Sequence, residues 1–437
     1  MELRDFIVTP LVLMIVFAGA YMVRPLVTDQ INRKFFLPAL SLRIFGALAL
    51  GFIYQFYYGG GDTFNYHTLG SRHIWEAFMD APSKGFELLF AGNEHTEETY
   101  KYSSKIAFFG DPSSYFIVRI AAVIDLLTFS SYSATAVIFS VFSFAGMWAF
   151  FLTFYHAYPQ IYRSIALAIL FVPSVFFWGS GVLKDTVTLA ALGFLTYAIR
   201  NVFIEKKIGV KSLVLLIVCV FIIFSVKKYI LLCFLPAALV WIQTGRLSRI
   251  RSPLVRVLFV PFVLIGVLMS SYFAVRIVGE DDKKYAVENL ARTAQITAYD
   301  IGFYTGKGAG SSYNIGELDG TFIGMLKLAP QAINVSLFRP YPWEARNVLM
   351  MLSAIESLVV LGLTFYVFYR KRLRALEAFR NPDVLFCMIF SITFAFAVGV
   401  STFNFGTLTR YKIPLMPFYF LGLILILNYS KSNKKFL

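Results

Sequence analysis

Residues Ala134–Thr153, ATAVIFSVFSFAGMWAFFLT, decide how the rest of the chain is read. They make an uncharged run of about the 20 apolar residues that a helix needs to cross the hydrocarbon core of a bilayer. Outward from it, Pro10–Val23, Leu42–Tyr54, Pro253–Phe273, Leu349–Tyr369 and Ile413–Asn428 approach or reach the same length. Strand-like alternation is absent, so helices carry the spans. The composition agrees: 58% of the 437 residues are hydrophobic, 15% are charged and the mean hydropathy is +0.68, which argues against a soluble globular domain. The first apolar segment has no basic leader and no convincing small-residue cleavage site, and reads as a retained anchor. The expected fold class is an all-α polytopic membrane protein, with residues 1–437 forming a single multi-span membrane domain and the lipid bilayer as its surroundings.

The formal net charge of +15 would suggest nucleic acid in a soluble protein. Here the basic residues cluster in short connections, where Lys and Arg mark the cytoplasmic side, so no nucleic-acid partner is expected. Arg24, Arg33 and Lys34, the EKKIGVK and GRLSRIRSPLVR stretches, RKRLRALEAFR and the C-terminal KSNKK all read as inside, which makes the C-terminus cytoplasmic. Alternation then places residues 58–112 outside as a large loop. It carries Asp62, Glu76, Asp80, Glu87, Glu94, Glu97, Glu98 and Asp111 against Arg72, Lys84, Lys101 and Lys105, an acidic bias that fits an outer face. A second external loop covers 274–347 and includes a re-entrant helix. Phe116–Thr128, with Arg119 and Asp125, and Thr321–Phe338, with Lys327, Pro330, Gln331 and Asn334, read as partial or re-entrant helices lining a cavity. With them the count is about eleven transmembrane helices plus two partial ones. Cys219, Cys233 and Cys387 lie in apolar runs and form neither a disulfide framework nor a zinc site. His67, His73, His95 and His156 show no metal-ligand spacing.

Polar chemistry concentrates on the external side. In FYYGGGDTFNYHTLG, residues Phe56–Gly70, three consecutive glycines free the backbone to turn and to bring Asp62 close to a ligand. The competing reading is a flexible turn. In FVPSVFFWGSGVLKDTV one helix ends and another begins at Lys184, with Asp185 in its first turn; a lysine at an opened helix N-terminus suits a phosphate, or is an interfacial anchor. LFRPYPWEARN holds Arg339, Trp343, Glu344 and Arg346 among prolines, and TRYKIPLMPF sets Arg410 and Lys412 at a helix entrance. Both are read either as cation sites or as snorkelling anchors in an aromatic belt. Glu356 lies midway along an apolar run and must face protein or water.

The acidic residue in the first large external loop, the PSVFFWGSGVLKD helix break and the RYKIPLMPF entrance together resemble the C-superfamily of polytopic glycosyltransferases and the related envelope-polysaccharide polymerases. The resemblance implies a sugar donor carried on polyprenyl phosphate or pyrophosphate and a glycan acceptor. Such transfer needs no nucleotide, which accords with the lack of a Walker or dinucleotide fingerprint. It needs a base for the acceptor hydroxyl and cations for the departing phosphate. Asp62 is the first candidate base, or the holder of a divalent metal such as Mg²⁺ or Mn²⁺. His67 and Asp185 follow it. Lys184, Arg339, Glu344, Arg410 and Lys412 are candidates for substrate binding. The expected location is a bacterial cytoplasmic membrane, and the alternative function is a transporter or flippase of a lipid-linked or anionic solute.

Overall fold

The computed structural model describes residues 2–90, 92–247, 269, 276, 279, 282–286, 288–306 and 310–429. The span expected at Pro253–Phe273, most of the GRLSRIRSPLVR marker and the KSNKK tail lie outside the described residues. Among those described, every regular element is a helix, and the β-type pairing is an isolated bridge between Ser312 and Asn404.

Among the described residues seven helices are long and apolar enough to cross a membrane: Leu3–Val27, Arg33–Phe56, Tyr132–Tyr155, Lys184–Ile204, Lys228–Leu247, Val348–Lys371 and Pro382–Ser401. An eighth forms if Phe405–Tyr411 and Met416–Leu427, bent by 66° at their break, count as one span. The chain is thus an all-α, polytopic, integral membrane protein, whose described residues hold seven or eight candidate spans where about eleven are expected for the whole chain. Apolar composition alone overcounts because several runs are cut short. Pro173 and the Gly179-Ser180-Gly181 stretch divide one run into Tyr162–Leu170 and Pro173–Trp178, and Val210–Val226 is shorter than the other spans.

The 58–112 connection, expected as an external loop, is itself helical. It folds into the short helices Asp62–Tyr66, Arg72–Asp80, Pro82–Phe90 and Tyr100–Ser103. They form because apolar side chains recur on one face: Ile74, Ala77 and Phe78 are buried on Arg72–Asp80, and Leu88 and Leu89 on Pro82–Phe90. Tyr115 Oη donates to the Leu88 carbonyl at 2.7 Å and ties the segment to the Pro112–Thr128 helix.

The chain divides into two compact units. The first comprises 1–162, 175–198 and 213–227. Its helices approach closely where side chains are smallest. A Cβ on Gly146 would lie 2.3 Å from the Ala190 carbonyl oxygen, and one on Gly193 2.2 Å from that of Gly146, so glycine is required on both helices. Burial grades from 72% of the Tyr132–Tyr155 window to 6% of that in Leu3–Val27, which leaves the latter open to lipid.

The second unit comprises 163–174, 199–212 and 228–437. Lys228–Leu247 packs against Pro382–Ser401 through Trp241, whose ring stacks on Phe386 at 4.3 Å and whose Nε1 donates to Asp383 at 2.6 Å. Phe234 meets Phe386, Phe390 and Phe418 in the same core.

Candidate functional site

In the first unit the glycine turn is strained enough to need glycine. Gly59, Gly60 and Gly61 all have positive φ, at 70°, 143° and 125°, and the Gly60 amide donates back to the Tyr54 carbonyl at 2.9 Å. Gly61 precedes the Asp62–Tyr66 helix, so Asp62 opens a helix, half-buried. Gly59 and Gly60 face a different feature, a cavity of about 370 Å³ lined also by Glu2, Asp5, Gln55, Arg72, Tyr132 and Ser133. Asp62 is not part of that lining.

Lys184 begins its helix as expected, and its charge is met by a carboxylate from far along the chain. Its Nζ donates to Asp111 Oδ2 at 3.1 Å and to Ser113 Oγ at 2.6 Å, with Asp62 in electrostatic reach. Asp111 caps the Pro112–Thr128 helix by accepting from the Ser113 amide. Burial pushes its carboxyl up, but the Ser114 hydroxyl, the Lys184 charge and the hydrogen bonds from Lys184 and Ser113 outweigh that and hold it at about 2. Lys184 and Asp111 therefore form an ion pair at the start of a spanning helix, with the Asp62 charge acting on Lys184 from nearby.

His67 and Asp185 sit apart from solvent. His67 is wholly buried, its Nε2 3.3 Å from Asp125 Oδ1, and Asp125 also accepts from Ser71 Oγ at 2.6 Å and Thr135 Oγ1 at 2.7 Å. Asp185 accepts from Lys227 Nζ at 2.5 Å, and both side chains are buried. The Asp185–Lys227 pair fastens helices together, whereas the His67 Nε2, though close to Asp125, makes no hydrogen bond.

In the second unit, Arg339 and Glu344 form a mutual clamp. Arg339 Nε donates to both Glu344 carboxylate oxygens at 3.1 Å and its terminal nitrogen to Oε1, while the guanidinium lies over the rings of Phe405, Tyr313 and Tyr341. Burial raises the Glu344 carboxyl, but the Arg339 hydrogen bonds, the Tyr341 amide and the Arg339 charge bring it below the usual range. Lys412 is buried at the 66° break, donating to Ser357 Oγ at 3.1 Å and the Arg339 carbonyl at 3.4 Å. Arg410 is half-buried on the Phe405–Tyr411 helix. Glu356 faces protein, as its position in an apolar run requires, and accepts from the Ser174 amide at 2.8 Å.

Arg43 escaped the sequence reading. It is fully buried inside a spanning helix and donates to Ser143 Oγ, the Val175 carbonyl and the Gly179 carbonyl at 2.9–3.1 Å, holding the broken Pro173–Trp178 segment in place. Its signal was an arginine inside the apolar Leu42–Tyr54 run. Among the described residues no three His, Cys, Asp or Glu side chains are grouped to hold a metal ion. No protein-family model, curated protein or solved structure matches the chain.

Proposed function

We propose that this integral membrane protein is a glycosyltransferase of cell-envelope glycan synthesis. It would move a sugar or oligosaccharide from a polyprenyl phosphate or pyrophosphate donor to an acceptor on the extracytoplasmic face of a bacterial cytoplasmic membrane. The observation that carries the reading is Lys184, which opens a spanning helix, pairs with Asp111 at 3.1 Å and has the Asp62 charge in electrostatic reach. The carboxylate of Asp62 takes the proton of the acceptor hydroxyl as the new carbon–oxygen bond forms at the sugar C1. The bond from C1 to the phosphate oxygen breaks, and the charge that accumulates on the departing phosphate is met by Lys184. Asp111 keeps the ammonium aimed while the donor binds.

A second reading has its own observation. Lys412, buried at the break of a bent helix pair, resembles the ion sites that transporters build at discontinuous helices. Cells lacking the chain separate the two. Transfer predicts lipid-linked donor accumulating on the outer leaflet, accessible to an external glycosidase, with finished glycan lost; transport predicts donor held inside, protected from it.

A further inference from the structure

The cavity of about 370 Å³ has two unlike sides. Leu48, Phe52 and Leu69 give it an apolar wall, and Phe52 and Leu69 are 44% and 48% exposed on a unit whose helices stand in lipid. Glu2, Asp5 and Arg72 give it a charged end. It lies where the Leu3–Val27 and Tyr132–Tyr155 helices begin and along the last turns of Arg33–Phe56, at one end of three candidate spans. Asp5 is committed to Ser131 Oγ at 2.7 Å and to the Glu2 and Ser133 amides at 2.9 and 3.2 Å. Glu2 is not so held. Its carboxylate is suspended between two arginines, 2.7 Å from Arg4 Nε and 2.5 Å from Arg72 Nη1, and is 41% exposed. The remaining donations of those guanidiniums go to uncharged oxygens of Phe129 and Ser130 at 3.3–3.4 Å.

A carboxylate poised between two guanidiniums at a cavity mouth occupies the place of an external anion. The Arg4–Glu2 pair, 34% and 41% exposed, is of the weak kind that exchanges readily, whereas a phosphate offers more oxygens to the arginine forks. We infer that the cavity binds a phosphate-bearing amphiphile, whose phosphate displaces Glu2 from between Arg4 and Arg72 while its chain lies along Phe52 and Leu69. Two sources carry that chemistry, an isoprenoid phosphate and a phospholipid. The site does not depend on sugar transfer, and it is read by binding rather than turnover.

The test is calorimetric titration of the full chain in detergent with farnesyl phosphate, dihexanoylphosphatidic acid and inorganic phosphate. Both amphiphiles should outbind inorganic phosphate, and the tighter of the two names the source. Arg72→Gln or Arg4→Gln should weaken binding about tenfold or more, the loss of a charge-assisted hydrogen bond. Glu2→Gln should tighten it, because the competing carboxylate is gone. A purely structural ion pair would not give opposite signs from its two sides. Unchanged affinity in a folded arginine variant, weaker binding in Glu2→Gln, or inorganic phosphate binding as well as the amphiphiles would each overturn the proposal. Should Arg72→Gln fail to accumulate, Arg4→Gln and Glu2→Gln decide it.

Discussion

Lys184 and Asp185 are neighbours in sequence with opposite fates. Lys184 pairs with Asp111, whose side chain is 48% exposed, so water can reach the pair. Asp185 turns inward to Lys227, and that pair is removed from solvent. The chemistry of the two pairs is the same, a lysine and an aspartate. Burial makes the difference. In water a charge that loses its partner is rehydrated; inside a membrane protein it is stranded. The exposed pair can therefore be opened by a ligand, and the buried pair holds the helices that present it.

The largest effect expected from this contrast is on stability at the buried pair. Asp185→Asn takes the carboxylate from the buried Lys227 charge, and should cost about 3–5 kcal/mol, seen as a much lower melting temperature in detergent or as loss of protein from the membrane. Replacing both members together, Asp185→Leu with Lys227→Met, should recover most of that loss, and equal damage in the single and double variants would break the comparison. Arg43→Met comes next. It removes a charged donor to Ser143 Oγ and to the Val175 and Gly179 carbonyls, at about 1.5–3 kcal/mol for a hydrogen bond to a charged group, measured by the same melt.

The smallest effect belongs to Asp111→Asn, within about 1 kcal/mol at neutral pH, as for other exposed pairs. Its pH dependence has a definite sign. The native carboxyl is held below its ordinary 3.8, at about 2, so its contribution is complete above 3.8 and disappears as the pH falls toward 2. The melting temperatures of wild type and Asp111→Asn should differ at pH 5 and converge near pH 2. A constant gap would show that Asp111 acts through something other than its charge.

The long apolar helices were legible because a run such as Ala134–Thr153 has one use. The short helices after Tyr58 were hidden by their length and polarity, since a segment of nine residues such as Arg72–Asp80 shows its buried face only when something packs on it. Lys184 and Asp185 were legible as a charged helix start, but their partners stand 73 and 42 residues away and nothing local announces them. The glycines were read correctly as a turn that needs glycine. That Gly59 and Gly60 would line a cavity apart from Asp62 depended on how Leu3–Val27 and Tyr132–Tyr155 come to lie beside them, which is tertiary information. Arg43 was visible as an arginine in an apolar run, and only the carbonyl ends of a broken helix explain it.

The central claim is that Asp62 and the Lys184–Asp111 pair perform chemistry while the buried Asp185–Lys227 pair supports them. Asp62→Asn keeps the shape of the side chain and removes its charge, so the most direct measurement is the amount of glycan made by cells carrying this variant, set against the amount of the protein in their membranes. A general base within reach of its proton contributes about 10²–10⁴-fold, so glycan should nearly vanish while the protein accumulates as the wild type does. Normal glycan from a normal amount of Asp62→Asn protein would contradict the account.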